Sequence, residues 1–129
     1  MGQQQLLLIV LGVIIVGIAV VVGINLFNAN AETATQDSLV SQGTNIGAMA
    51  QQYYKKPIAM GGGGNDFTDF TTKVFNNLPL SLTTSTDAVW TVTAESATEV
   101  ELTGTPIDVS YTWTVVTTVD KDKIESLVQ

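Results

Sequence analysis

Hydrophobic positions along this chain change their period twice. The first segment, MGQQQLLLIVLGVIIVGIAVVVGINLF, carries no acidic or basic side chain, and the nineteen residues Leu6–Ile24 form an unbroken apolar or glycine run. At 1.5 Å per residue that is about 28 Å of helix, close to the roughly 30 Å hydrocarbon thickness of a bilayer. From Asn25 the composition turns polar, yet no proline occurs before Pro57, and Leu39, Gly43, Ile46, Ala50 and Tyr53 recur at spacings of four, three, four and three. This spacing predicts one buried stripe on a helix. A single helix from Leu6 to Tyr54 would be about 74 Å long, far more than a bilayer requires, so its second half has to pack on something.

The helix is predicted to stop at Tyr53-Tyr54-Lys55-Lys56-Pro57, because the residue before a proline is pushed out of the α region and lysines favour a helix carboxyl end. Asn25, Asn28, Asn30, Gly43 and Gly47 are weak helix formers and mark places for a bend or a partly melted segment. A two-helix hairpin or a flexible linker after the apolar run is the competing reading. After Pro79 the period becomes two. Trp90, Val92 and Ala94 share one face, Val100 and Leu102 another, and Ile107, Val109, Tyr111, Trp113 and Val115 alternate with Asp108, Ser110, Thr112 and Thr114. That alternation predicts half-buried antiparallel strands, the longest from Ile107, with turns at Glu95-Ser96-Ala97 and Gly104-Thr105-Pro106.

The expected fold class is therefore α+β: a long N-terminal helix, apolar then amphipathic, packed on a small antiparallel β-sheet head. Residues 1–56 make the helix, with 1–27 its apolar stem and 28–56 its amphipathic half, and residues 57–129 make the head. Leu39, Ile46 and Tyr53 are expected to pack against Trp90, Val109, Tyr111 and Trp113. Such a small head buries a modest fraction of its surface and gains from neighbours.

Three uses compete for the opening run. A secretory signal has a basic n-region and a shorter apolar core; Ala29-Asn30-Ala31 would supply a cleavage site, but the run is long and nothing basic precedes it. A membrane anchor fits its length, although the first lysine is Lys55 and the usual positive-inside signal is missing on the amino-terminal side. The third use is a stem that packs against copies of itself. Gly12, Ala19 and Gly23 fall within about 40° of one another on a helical wheel, and Ala19 and Gly23 form a small-xxx-small pair that lets helix backbones approach. Frequent glycine in apolar helices is the plain alternative.

Composition removes several functions. The chain has no cysteine, histidine or arginine, so disulfides, thiolate zinc sites, cysteine nucleophiles and the commonest general base are all excluded. Five lysines against twelve acidic residues give a net charge of −7, which repels nucleic acid. No catalytic constellation can be assembled from what remains, and no cofactor is expected. Gly61–Gly64 lacks the following Lys-Ser or Lys-Thr of a phosphate loop and reads as a turn or lid. Asp66 and Asp69 beside Phe67 and Phe70 are too few oxygens for calcium and read as helix capping, with a short helix toward Phe75 burying Phe67, Phe70 and Val74. The outward threonines follow β-propensity or form an O-glycosylated external surface, and Asp120-Lys121-Asp122-Lys123 reads as a solvated sheet edge.

A rod that is apolar in its first half and amphipathic in its second, followed by a small β-rich head, resembles the type IV pilins and the pseudopilins of type II secretion systems. Met1-Gly2 before Gln3 is similar to a very short prepilin leader, with Met1 as the alternative mature residue. Those pilins place a glutamate at the fifth mature position, whereas this chain has Gln5 or, after cleavage at Gly2, Leu7; Gln3, Gln4 and Gln5 would then offer uncharged hydrogen bonds between subunits. The resemblance implies an extracellular helical filament, built from copies of the chain by pilus assembly machinery after an inner-membrane intermediate. The interface it implies comprises Gln3, Gln4, Gln5, Leu6, Leu8, Gly12, Ile15, Ala19, Val22, Gly23, Leu26 and Phe27. A single-pass anchored binding module that does not polymerise is the other functional reading.

Overall fold

The computed structural model describes residues 2–129. One helix, α1 (Gly2–Lys55), is followed by two short helices, α2 (Phe70–Lys73) and α3 (Leu80–Thr83), and four strands, β1 (Ala88–Glu95), β2 (Glu99–Pro106), β3 (Val115–Asp120) and β4 (Ile124–Val128). The strands form one antiparallel sheet in the order β1-β2-β3-β4. The chain divides into two compact units, one reaching to Ala34 and the other Thr35–Gln129, so the head includes the last part of α1. The long N-terminal helix and the four-stranded antiparallel sheet define an α+β fold.

Within the head, the stripe on α1 is buried at Leu39, Gly43, Ile46, Gly47, Ala50 and Tyr53. It joins Trp90, Val100, Leu102, Val115 and Val119 from the sheet and Phe67, Phe70 and Phe75 from the intervening segment in one core. α1 is helical through Gly43 and Gly47, and the two glycines let it approach the sheet. A β-carbon on Gly47 would come within 2.9 Å of Cγ2 of Ile124 and 3.0 Å of Cγ2 of Val119.

The carboxyl end of α1 is closed by the tetraglycine loop. Gly63 N–H donates to the Tyr53 carbonyl at 2.8 Å, Gly64 to Lys56 at 2.9 Å and Asn65 to Tyr54 at 2.7 Å. These carbonyls are among those a helix end leaves without intrahelical partners. Added β-carbons at Gly62 and Gly63 would collide with the Lys56 and Asp66 carbonyls, and Gly61 and Gly64 hold positive φ of 82° and 59°.

The sheet departs from expectation in three places. The alternating segment from Ile107 is not a strand until Val115. Asp108 accepts hydrogen bonds at Oδ1 from the Ser110 N–H (2.9 Å) and hydroxyl (2.7 Å), and Tyr111 N–H donates to the Asp108 carbonyl at 3.1 Å. Side-chain acceptance of this kind offers the backbone a turn in place of a ladder. Gly104-Thr105-Pro106 is strand rather than turn, because Gly104 pairs with Trp90 and yields space to the indole; a β-carbon there would stand 2.7 Å from Cζ2. Finally, Asp120–Lys123 is the bend of a hairpin that leads into β4, a strand the sequence pattern did not predict. Asp120 Oδ1 accepts from the Asp122 and Lys123 N–H groups, both at 2.8 Å, and these bonds hold its carboxyl below the usual range.

Candidate functional site

The residues proposed for helix–head packing separate into two groups. Leu39, Ile46, Tyr53 and Trp90 lie in the core, and Trp113 packs half-buried against it. Val109 does not: it is 95% exposed at the tip of the Asp108 turn, a correction that follows from the loss of the expected strand. Tyr111 is also outside the core and stacks on Trp113 with ring centroids 5.4 Å apart.

Trp90 anchors a polar network that sequence reasoning did not anticipate. Its indole N–H donates to Gln42 Oε1 at 3.1 Å, as does the Ser85 hydroxyl. Gln42 Nε2 donates to Ser38 Oγ at 3.1 Å, and the Ser38 hydroxyl donates to Asp87 Oδ2 at 2.9 Å. Among the described residues no buried side-chain nitrogen or oxygen is left without a partner. A hint existed in the sequence: Ser38 and Gln42 are four residues apart, one helical turn beside the apolar stripe.

A second local device joins β1 to α2. Glu95 accepts from the Asp69 N–H (2.8 Å), the Thr71 N–H (2.7 Å) and the Thr71 hydroxyl (2.6 Å). Burial works against its ionisation, but the Thr71 hydroxyl and the two amides outweigh it and lower its pKa. The helix cap expected from Asp66 and Asp69 is thus supplied by Glu95; Asp69 takes a left-handed φ of 67° and makes no capping bond, while Asp66 accepts from Thr68 N–H at 2.7 Å. No three His, Cys, Asp or Glu side chains among the described residues gather as a metal site. One open cleft on the head, of about 390 Å³, lies between Asp87, Asp108 and Tyr111.

The stem has the opposite character. Every large apolar residue from Leu6 to Phe27 is exposed, from 53% at Ile14 to 74% at Phe27, and Gln3, Gln4, Gln5, Gly12, Ala19 and Gly23 are exposed with them. Gln5, Leu8, Gly12, Ile15, Ala19, Val22 and Leu26 recur at three and four residues and so share one helical face, with Gly23 beside Val22. The glycines of the stem differ physically from those of the head. Around Gly12, Gly17 and Gly23 an added β-carbon meets nothing within 4 Å, whereas Gly43, Gly47 and Gly104 each abut a side chain. The stem is long and apolar enough to cross a membrane.

No known protein family, curated protein or solved structure matches this chain.

Proposed function

We propose that the chain is a structural subunit of an extracellular helical filament of the type IV pilus kind, which resides in the inner membrane and then polymerises through its apolar N-terminal helix. The observation that carries this reading is the continuous exposed apolar surface of Leu6–Ile24 on a helix with no ionisable side chain before Glu32. Such a surface is stable only in lipid or against other apolar surface. Small residues at Gly12, Ala19 and Gly23 add a reason to prefer helix packing, since they let backbones approach where nothing in the subunit needs the room.

Burial at about 25 cal/mol per Å² over the stem side chains amounts to tens of kcal/mol gross per subunit, and ordering costs offset a large part of it. A fibre held this way resists dissociation, and its activity at the cell surface is structural rather than catalytic. Its partners are copies of itself, the membrane before assembly and the machinery that extracts and stacks subunits. Gln3, Gln4 and Gln5 replace an ionic contact with neutral hydrogen bonds, which makes the register insensitive to salt.

Two substitutions test the reading. Ala19→Asp costs a lone membrane anchor roughly 2.5 to 3.5 kcal/mol on insertion scales, a tolerable penalty, yet buries an unpaired charge in a packed stem. Ala19→Leu keeps the segment fully apolar and blocks only close approach. Loss of fibres in both variants, with the chain retained in membranes for Ala19→Leu, is the expected result. Unchanged fibres with either residue would overturn the packing, and dispersed single copies of the unaltered chain would leave the anchored binding module.

A further inference from the structure

The head carries its charges unevenly along the helix that backs it. From Ser38 to Lys55 α1 rises about 26 Å, and contacts with the sheet fix what lies at each end. At the amino-terminal end of this segment the Ser38 hydroxyl donates to Asp87 Oδ2 at 2.9 Å, and Ile107 N–H donates to the Asp87 carbonyl at 3.0 Å. The open cleft there is lined in part by Thr35, Asp87 and Asp108. At the carboxyl end Gln51 Nε2 donates to the carbonyl of Asp120 at 3.1 Å, in the hairpin that holds Lys121 and Lys123, and Lys73 lines a cleft with Tyr53 and Lys56. All five lysines of the chain therefore lie at the carboxyl end, and the other end presents Asp37, Asp87 and Asp108 without a lysine.

The two ends also differ in what is left unpaired. Lys73 pairs with Asp69 at 3.6 Å and Lys123 with Glu125 at 3.5 Å, and Lys121 stands between Asp120 and Asp122 in sequence. Lys55 and Lys56 form no ion pair among the described residues. Close to them in the chain, Ile58 and Met60 are 71% and 66% exposed; at the opposite end Ile107 and Val109, on either side of Asp108, are 47% and 95% exposed. Apolar side chains framed by charge have the make-up of a contact surface, and the head has one of each sign.

We propose that the carboxyl end of the head docks on the amino-terminal end of the head of a second copy. Ile58 and Met60 pack on Ile107 and Val109, while Lys55 and Lys56 face Asp87 and Asp108. The surfaces are opposite in charge and alike in apolar content, and both belong to this chain, so charge complementarity selects a second copy as the occupant. Because unlike surfaces meet, the contact is heterologous and repeats from copy to copy in an open array. Every copy in that array keeps the same polarity, as parallel stems require. A two-fold contact through either end would set lysines against lysines or carboxylates against carboxylates. The contact rests on the filament reading and adds to it a second seam, between heads.

Thiol cross-linking in fibres tests it. The chain has no cysteine, so introduced thiols are unique probes. Fibres are sheared from cells producing full-length chain with Met60→Cys, with Val109→Cys or with both, and treated with a short bismaleimide. Residues 60 and 109 lie at opposite ends of the head, out of the reagent's reach within one chain. The double variant is expected to give a ladder of covalent multimers and each single variant to stay monomeric. Adding Lys55→Glu and Lys56→Glu to the double variant should lower the ladder yield several-fold or abolish fibres, whereas adding Lys121→Glu should do neither. Fibres of the double variant that give no ladder would overturn the contact while leaving the filament in place. Dimers from the single variants in equal yield would overturn its head-to-tail geometry, and a ladder indifferent to Lys55 and Lys56 would overturn the charge pairing. Failure of the unaltered chain to form any fibre would overturn the filament reading, and this contact with it.

Discussion

A β-carbon placed on Gly43 would stand 2.7 Å from Cη2 of Trp90, and one placed on Gly104 would stand 2.7 Å from Cζ2 of the same ring. The indole is received between a glycine of the helix and a glycine of the neighbouring strand. Glycine inside a helix costs up to about 1 kcal/mol relative to alanine, so its presence at Gly43 reflects the ring's need for room. Gly43→Ala is therefore expected to destabilise the head by up to about 2 kcal/mol net, overpacking of about 1 to 3 kcal/mol being set against a propensity gain of about 1. Chemical denaturation followed by tryptophan fluorescence in detergent measures it.

Stem glycines should behave in the reverse way. A β-carbon at Gly23 meets nothing within 4 Å, so Gly23→Leu is expected to leave the unfolding midpoint of the head at the wild-type value. Fibre yield falls, because the lost space is between helices. Quantifying sheared fibres and head stability on the same variant separates the two effects.

Gln42 Oε1 receives both the Trp90 indole N–H and the Ser85 hydroxyl. Gln42→Leu keeps comparable bulk but removes the acceptor from a nearly fully buried ring nitrogen. An unsatisfied buried donor costs about 1 to 3 kcal/mol, and a loss in that range is expected in urea unfolding. Gln42→Glu, which retains an acceptor at this position, should lose less.

Glu95 gives the head an acid-sensitive element. Its pKa in the folded chain is below the ordinary carboxylate value, so its contribution is present above the unfolded-state pKa and is lost as pH falls through the folded one. Glu95→Gln should lower stability near neutral pH and narrow the difference between neutral and strongly acid conditions. Unfolding midpoints at several pH values decide the sign; a variant as pH-dependent as the wild type would remove Glu95 from the account.

The helix and its buried stripe were legible because both periods are written in side-chain polarity: Leu39, Ile46, Ala50 and Tyr53 are spaced for one face, and Leu6–Ile24 holds nothing to interrupt it. Local chemistry overrode the pattern from Ile107 to Thr114. Alternation there is compatible with a strand, but Asp108 binds the Ser110 backbone and hydroxyl, and Val109 is carried to the tip of a turn. Gly104 misled for the opposite reason, since its missing side chain serves the Trp90 ring across the ladder and not a change of direction. β4 was hidden by its brevity and by Lys123 and Glu125, whose charges resemble a solvated edge. The Gln42 network and the Glu95 cap join residues far apart in sequence, a relationship no periodicity contains. For the stem, the sequence already presented the surface; what the fold adds is that this run is helical and that its large apolar side chains are exposed.

Electron microscopy of material sheared from cells producing the chain, with mass spectrometry covering the amino-terminal peptide, bears most directly on the filament. Thin fibres composed of chains that retain Leu6–Phe27 are the predicted result, and the first residue of that peptide identifies the processing site. A chain found only in the membrane fraction as dispersed single copies would contradict the account.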